Sequence, residues 1–194
     1  MSDTAPPSRT GMSRRNRRTL ILLALVTVAP VIASYAAYYW FPRDKQANYG
    51  ELLPTRPAPE LAGVTPGGAP FLLSGLRGRW VLVVAAPGAC DSACTQALYA
   101  TRQARTIQGR EMERVARLLI VTDDGAPPAA LAAEHPDLVT VRVPAGALGA
   151  WPAGDERIYL VDPLGNLVLA YPCDPDIKAM AKDLTRLLKA SRIG

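Results

Sequence analysis

The amino-acid sequence predicts an α/β protein, a mixed central sheet flanked by helices, preceded by a single N-terminal transmembrane helix. Three observations carry this expectation. Residues 19–41 contain no charged side chain. From residue 60 onward, strand and helix patterns follow the order β-β-β-α-β-α-β-β-β-α, which requires a mixed sheet covered by helices. Two of the strand patterns, 80–86 and 117–122, are near-continuous apolar runs of the kind that sheets bury on both faces.

The N-terminal third divides into three segments. Residues 1–18 form a polar basic tail, expected to be disordered and cytoplasmic, with Arg14, Arg15, Arg17 and Arg18 placed just before the apolar run. Residues 19–41, at about 1.5 Å per residue, are long enough to cross a hydrocarbon core of about 30 Å. Tyr38, Tyr39 and Trp40 mark the far end of the run as an aromatic belt. The positive-inside rule keeps the tail in the cytoplasm and exports the chain beyond Pro42, which in a bacterium means an inner-membrane anchor and a periplasmic domain. A cleaved signal peptide is the competing reading, but the run exceeds the roughly 7–15 residues of a signal h-region. Residues 42–59 hold Pro42, Pro54, Pro57 and Pro59 and read as an extended linker. The formal net charge of +5 resides mostly in the tail, where five arginines oppose Asp3 alone. The rest of the chain is near neutral, which leaves no electrostatic case for nucleic acid; the arginines suit topology and anionic headgroups instead.

Residues 60–194 form the globular domain. Patterns 61–65 and 71–73 flank Pro66-Gly67-Gly68 as a hairpin. A polar turn then leads into the strand 80–86. A helix runs from about Asp91 to Gln108 and stops at Gly109. The strand at 117–122 is followed by a short alanine-rich helix over 127–134, which closes at His135-Pro136, and by a third strand over 138–143. Segments 157–161 and 167–170, joined by Asp162-Pro-Leu-Gly-Asn166, form a second hairpin. The last helix, 175–191, carries Ile177, Met180, Ala181, Leu184, Leu187 and Leu188 on one face.

Candidate chemistry centres on Cys90 and Cys94. They follow a buried strand through Pro87-Gly88-Ala89 and stand at the start of a helix, where unpaired N–H groups and the macrodipole favour a thiolate. The spacing of four puts both sulfurs on one face, so they can form a disulfide or hold a soft ion such as Cu(I). Two small buried hydrophobes are the bland alternative. Three cysteines in an exported domain suit an oxidising compartment. Cys173, in Tyr171-Pro-Cys-Asp-Pro175, is open to three readings: a third thiol ligand, a mixed-disulfide site, or an inert residue near a helix start. Asp91 is expected to cap the helix, and Asp123 and Asp124 to lie near the edge of the site. His135, the one histidine, is expected at the surface.

The strand–cysteine–helix order resembles the thioredoxin superfamily and, more closely, its Sco/SenC branch, the anchored copper-handling proteins of cytochrome c oxidase assembly. The residues that carry the resemblance are the anchor, Leu-Arg-Gly-Arg-Trp80, the Cys90-x-x-x-Cys94 spacing, Ile120-Val-Thr-Asp123 and Tyr159-Leu-Val-Asp-Pro163. It covers roughly residues 60–191 and implies a thioredoxin-like domain with Cys90 and Cys94 as redox or Cu(I)-binding thiols. It also implies the membrane and an oxidase subunit, or another copper or thiol client, as partners. Two departures stand out. Asp91 replaces the usual proline after the first cysteine, and the stretch 151–157, where that branch places a histidine ligand, has none.

Two thiolates alone suit Cu(I), whereas Cu(II) needs nitrogen donors. Loss of the histidine moves the balance toward dithiol–disulfide exchange, with Cys90 attacking and Cys94 resolving. Two alternatives remain: a general periplasmic thiol–disulfide oxidoreductase, and a non-catalytic assembly scaffold. With one histidine and no phosphate loop or paired carboxylates, zinc hydrolysis and Cys/His proteolysis are disfavoured.

Overall fold

The computed structural model describes residues 14–40, 48–152 and 157–191. The chain separates into two units, Met1–Gln46 and Ala47–Gly194. In the first, α1 (Arg14–Trp40) begins five residues before the apolar run. Arginine is a good helix former, so the helix propagates back through part of the basic segment expected to be disordered; the tail before Arg14 lies outside the described residues. Pro30 stands inside α1, and Arg17–Ala36 is long and apolar enough to cross a membrane.

The second unit is built on an eight-stranded sheet of order β1-β8-β7-β4-β5-β6-β2-β3. The strands are β1 (Glu51–Pro57), β2 (Ala62–Val64), β3 (Pro70–Leu72), β4 (Trp80–Ala86), β5 (Val115–Val121), β6 (Leu138–Arg142), β7 (Arg157–Val161) and β8 (Asn166–Pro172). The helices are α2 (Ser92–Thr106), α3 (Ala129–Glu134) and α4 (Ile177–Ala190). Strands β4, β5 and β6 are parallel, and β7, β8 and β1 continue antiparallel from β4. Both expected hairpins form, β2–β3 and β7–β8.

Strand β1 corrects the linker reading, because residues 51–57 pair with β8 instead of extending as a stalk. Proline cannot donate to a ladder, so it is confined to edges and irregularities. That is where Pro54 and Pro57 lie: β1 is the sheet's outer strand, and its register shifts between Leu52 and Arg56. A proline-rich composition thus disguised an edge strand.

The period-two alternation of β4 feeds two core layers. Trp80, Leu82, Val84 and Ala86 pack with α2, α4 and Leu131 of α3. Val81, Val83 and Ala85 pack on the opposite face against Leu61, Leu73, Leu76 and Trp151. Trp80, Trp151 and Tyr159 are buried in these layers.

Candidate functional site

The sulfurs stand where β4 leaves the sheet. After Ala86 the chain makes a tight turn in which the Cys90 N–H donates to the Pro87 carbonyl, 3.0 Å. Gly88 lies against the backbone of Gly125, and a Cβ there would collide with it. Asp123 locks this approach, its Oδ1 accepting from the N–H groups of Gly88 (2.7 Å) and Gly125 (3.0 Å). Asp123 is therefore at the edge of the site, as expected, and it acts as a positioning residue. It ties the β5 exit loop to the loop that carries Cys90.

Cys90 has φ +45, the one non-glycine residue among those described with a positive φ. Left-handed backbone costs an ordinary L-residue roughly 1 kcal/mol, and it survives where the surroundings over-determine it. Here the Pro87 turn precedes Cys90, and a capped helix follows it. Helix α2 starts at Ser92, one residue later than the sequence pattern indicates, because Asp91 is its N-cap. The Asp91 Oδ1 accepts from the Cys94 N–H at 3.0 Å.

Cys90 and Cys94 are joined by a disulfide, with Cα atoms 5.1 Å apart. Both sulfurs therefore lie at the positive end of α2. Cys90 and Cys94 are 8% and 4% exposed and belong to the core layer beneath α2. These are core cysteines, and they are bonded to each other.

Cys173 is half-buried and packs on that same core layer. Register places its loop near the pair. Val84 of β4 faces Ile158, and the next residue of β7, Arg157, faces Pro172 at the end of β8. All three cysteines thus lie toward one end of the sheet. The Gln96 amide of α2 donates to Asp174 at 2.6 Å and fastens the Cys173 loop to the helix that holds Cys94. Among the described residues, no group of three or more His, Cys, Asp or Glu side chains is arranged to hold a metal ion.

His135 is buried, at 3% exposed, and not at the surface as expected. The cause is Arg117, a guanidinium with no exposed area, which occupies the α2-facing position of β5 between Val115 and Leu119. It donates to the Leu98 carbonyl (2.7 Å), Thr101 Oγ1 (3.2 Å) and Asp137 Oδ1 (3.2 Å), and contacts His135 Nδ1 at 3.3 Å. Arg105 pairs with the other Asp137 oxygen at 3.2 Å. Burial, followed by the Arg117 charge, holds the His135 pKa below its usual value, so the ring is a neutral acceptor. Burial also lowers the Arg117 pKa, a shift opposed by Asp137. His135 leads into the N-terminal end of β6, whereas Cys90 leaves the C-terminal end of parallel β4. The imidazole is therefore a structural acceptor at the wrong end of the sheet for the sulfurs. Residues 153–156, within the stretch that lacks a histidine, lie outside the described residues.

Asp183 was also missed. It is buried on the apolar stripe of α4 and accepts from the N–H groups of Tyr49 (2.8 Å) and Gly50 (2.9 Å). A carboxylate on an apolar stripe, like an arginine inside an apolar strand, must find donors or acceptors when buried. That is the signal which could have found both. An open groove of about 740 Å³ between the β2–β3 hairpin, β6 and α3 has no cysteine in its lining.

Comparison with known proteins agrees with this geometry. The family model described as transmembrane-like, thioredoxin-like, C-terminal domain matches residues 80–191. Among solved structures, apo Sco1 from Thermus thermophilus is 22% identical at TM-score 0.57, covering 76% of this chain and 98% of its own. Yeast Sco1 with copper bound is 17% identical at TM-score 0.58, covering 72% and 96%. Copper-bound ScoI from Bradyrhizobium japonicum is 17% identical at TM-score 0.53, covering 66% and 96%. At these identities the likeness shows the fold. No curated protein matches the sequence.

Proposed function

The chain belongs to the family of transmembrane-like, thioredoxin-like C-terminal domains, and from that membership we propose that it is a Sco/SenC-like assembly factor anchored in the bacterial inner membrane. Its domain faces the periplasm, its N-terminus the cytoplasm, and it assists construction of the copper centre of cytochrome c oxidase. The observation that carries this reading is the Cys90–Cys94 disulfide at the exit of the central strand. A dithiol reductant, itself oxidised to a disulfide, supplies the two electrons and two protons that convert it to two thiols. The thiols then either reduce a client disulfide, Cys90 attacking as its thiolate and Cys94 resolving, or take up Cu(I) as cargo with loss of their protons. Two converging sulfurs fit two-coordinate Cu(I), and no nitrogen donor accompanies them, among the described residues, to suit Cu(II). Of the two activities, thiol reduction has the better support here, because His135 is committed to Arg117.

The test uses the reduced full-length protein in detergent. Cu(I) is titrated in against a competing chelator, and the Cys90–Cys94 reduction potential is measured in parallel. A potential between about −300 and −120 mV supports exchange. One-to-one copper binding that vanishes in Cys90→Ala supports delivery. A potential well below that range, with no copper uptake and no turnover, leaves a scaffold with a structural disulfide.

A further inference from the structure

Helix α4 presents an exposed basic face whose purpose the sulfur chemistry does not explain. Lys178, Lys182, Arg186 and Lys189 are all exposed or half-exposed along it. At about 100° per residue they fall within an arc of roughly 80°. With the exposed Ile107 they line a shallow groove that contains no carboxylate. Among nearby acids, Asp183 is buried and holds the Tyr49 and Gly50 amides, with Arg186 3.9 Å away. Glu111 pairs with Arg114, and Asp176 caps the helix. Three of the four lysines in the whole chain stand on this face, and the fourth, Lys45, is in the segment that leads to it.

That segment supplies the second observation. Asn48, Tyr49 and Gly50 are fastened to the middle of α4, Asn48 Oδ1 to Arg186 at 3.2 Å and the other two to Asp183. Eight Cα steps separate Asn48 from Trp40 at the end of α1, which fully extended span at most about 28 Å. The connection from the helix read as the anchor to the segment fastened to α4 is therefore seven residues long, 41–47. It keeps the local concentration of lipid high, so weak attraction suffices.

We propose that the Lys178–Lys182–Arg186–Lys189 face of α4 docks on the anionic headgroups of the bilayer that holds α1. Docking fixes the domain's orientation on the membrane. The inference rests on the reading of α1 as an anchor. The test reconstitutes the full chain in nanodiscs of phosphatidylcholine, alone or with one-third phosphatidylglycerol, and follows acetylation of each lysine by mass spectrometry. On anionic discs, acetylation of Lys178, Lys182 and Lys189 should slow about fivefold. The protection should disappear at about 0.5 M salt. Equal rates on both discs overturn the proposal. Protection in native membranes but on neither disc also overturns it and points to an acidic protein partner. Carbonate extraction of the same chain separates the premises: retention with equal rates ends only the docking, whereas release ends the anchor reading and the docking with it.

Discussion

At the C-terminal end of β4 the chain places the Cys90–Cys94 pair, covered, bonded to each other, and held by a backbone turn with positive φ. At the N-terminal end of β6, and on the α2-facing side of β5, it buries Arg117 and His135 beside the half-buried carboxylate Asp137. Both sites are sequestered polar or reactive groups beneath the same helix, yet they differ in how they are satisfied. Arg117 has a partner for each of its three nitrogens, drawn from α2, from His135 and from Asp137. The sulfurs have chiefly each other, and a two-electron reduction undoes that bond. A buried charge with a complete set of partners is a fastener. A buried pair whose only bond is reversible is, under the proposed function, a switch.

The comparison breaks if the two ends exchange roles. The largest effect is expected from Cys94→Ser, which removes the resolving sulfur. Client reduction should fall by about a thousandfold in a stopped-flow thiol assay, because exchange stalls at the mixed disulfide. The same variant should lose no more than about 2 kcal/mol of stability, the loop that the disulfide closes being short. Arg117→Ala should do the reverse and cost about 3 kcal/mol in urea denaturation, since it leaves His135 without its donor, leaves Asp137 with Arg105 alone and opens a cavity beneath α2. The Cys90–Cys94 potential should then shift by less than about 30 mV. A large shift with little unfolding would mean that the two ends are coupled.

Smaller changes sharpen the contrast. Asp91→Ala removes the carboxylate that caps α2 on the Cys94 N–H, and should cost about 1 kcal/mol in thermal or urea unfolding. The acid response tests the other end. The folded His135 pKa is lowered, so as pH falls the unfolded chain takes up the proton first. The stability contributed by neutral His135 is thus complete above about pH 6.5 and is lost as pH drops below it, with a slope of at most about 1.4 kcal/mol per pH unit. His135→Asn, whose amide oxygen can accept in place of Nδ1, should flatten that slope. An unchanged slope would assign the acid sensitivity to another group.

The succession of β2 to β8 along the chain, both hairpins, three helices of the domain and the cysteine pair were legible, because each depends on local periodicity or on a short motif. Asp91 as a cap and Asp123 beside the site were legible for the same reason. The features that escaped reading share one property, that each has its partner far along the chain. Strand β1 finds β8 across more than a hundred residues, and Asp183 finds Tyr49 at a separation of 134. His135 was placed at the surface because its neighbours are a helix end and a proline, and nothing local announces a guanidinium arriving from β5.

Composition and pattern alone sufficed for the apolar run of α1, the α/β layering and two cysteines where a strand turns into a helix, since hydrophobic period and capping chemistry act over a few residues. Folding in three dimensions settled which polar groups are buried, which end of the sheet collects the cysteines, and that the chain leading from α1 is fastened to α4. Burial and long-range hydrogen bonding arise only when distant segments meet, and no window along the chain contains both partners.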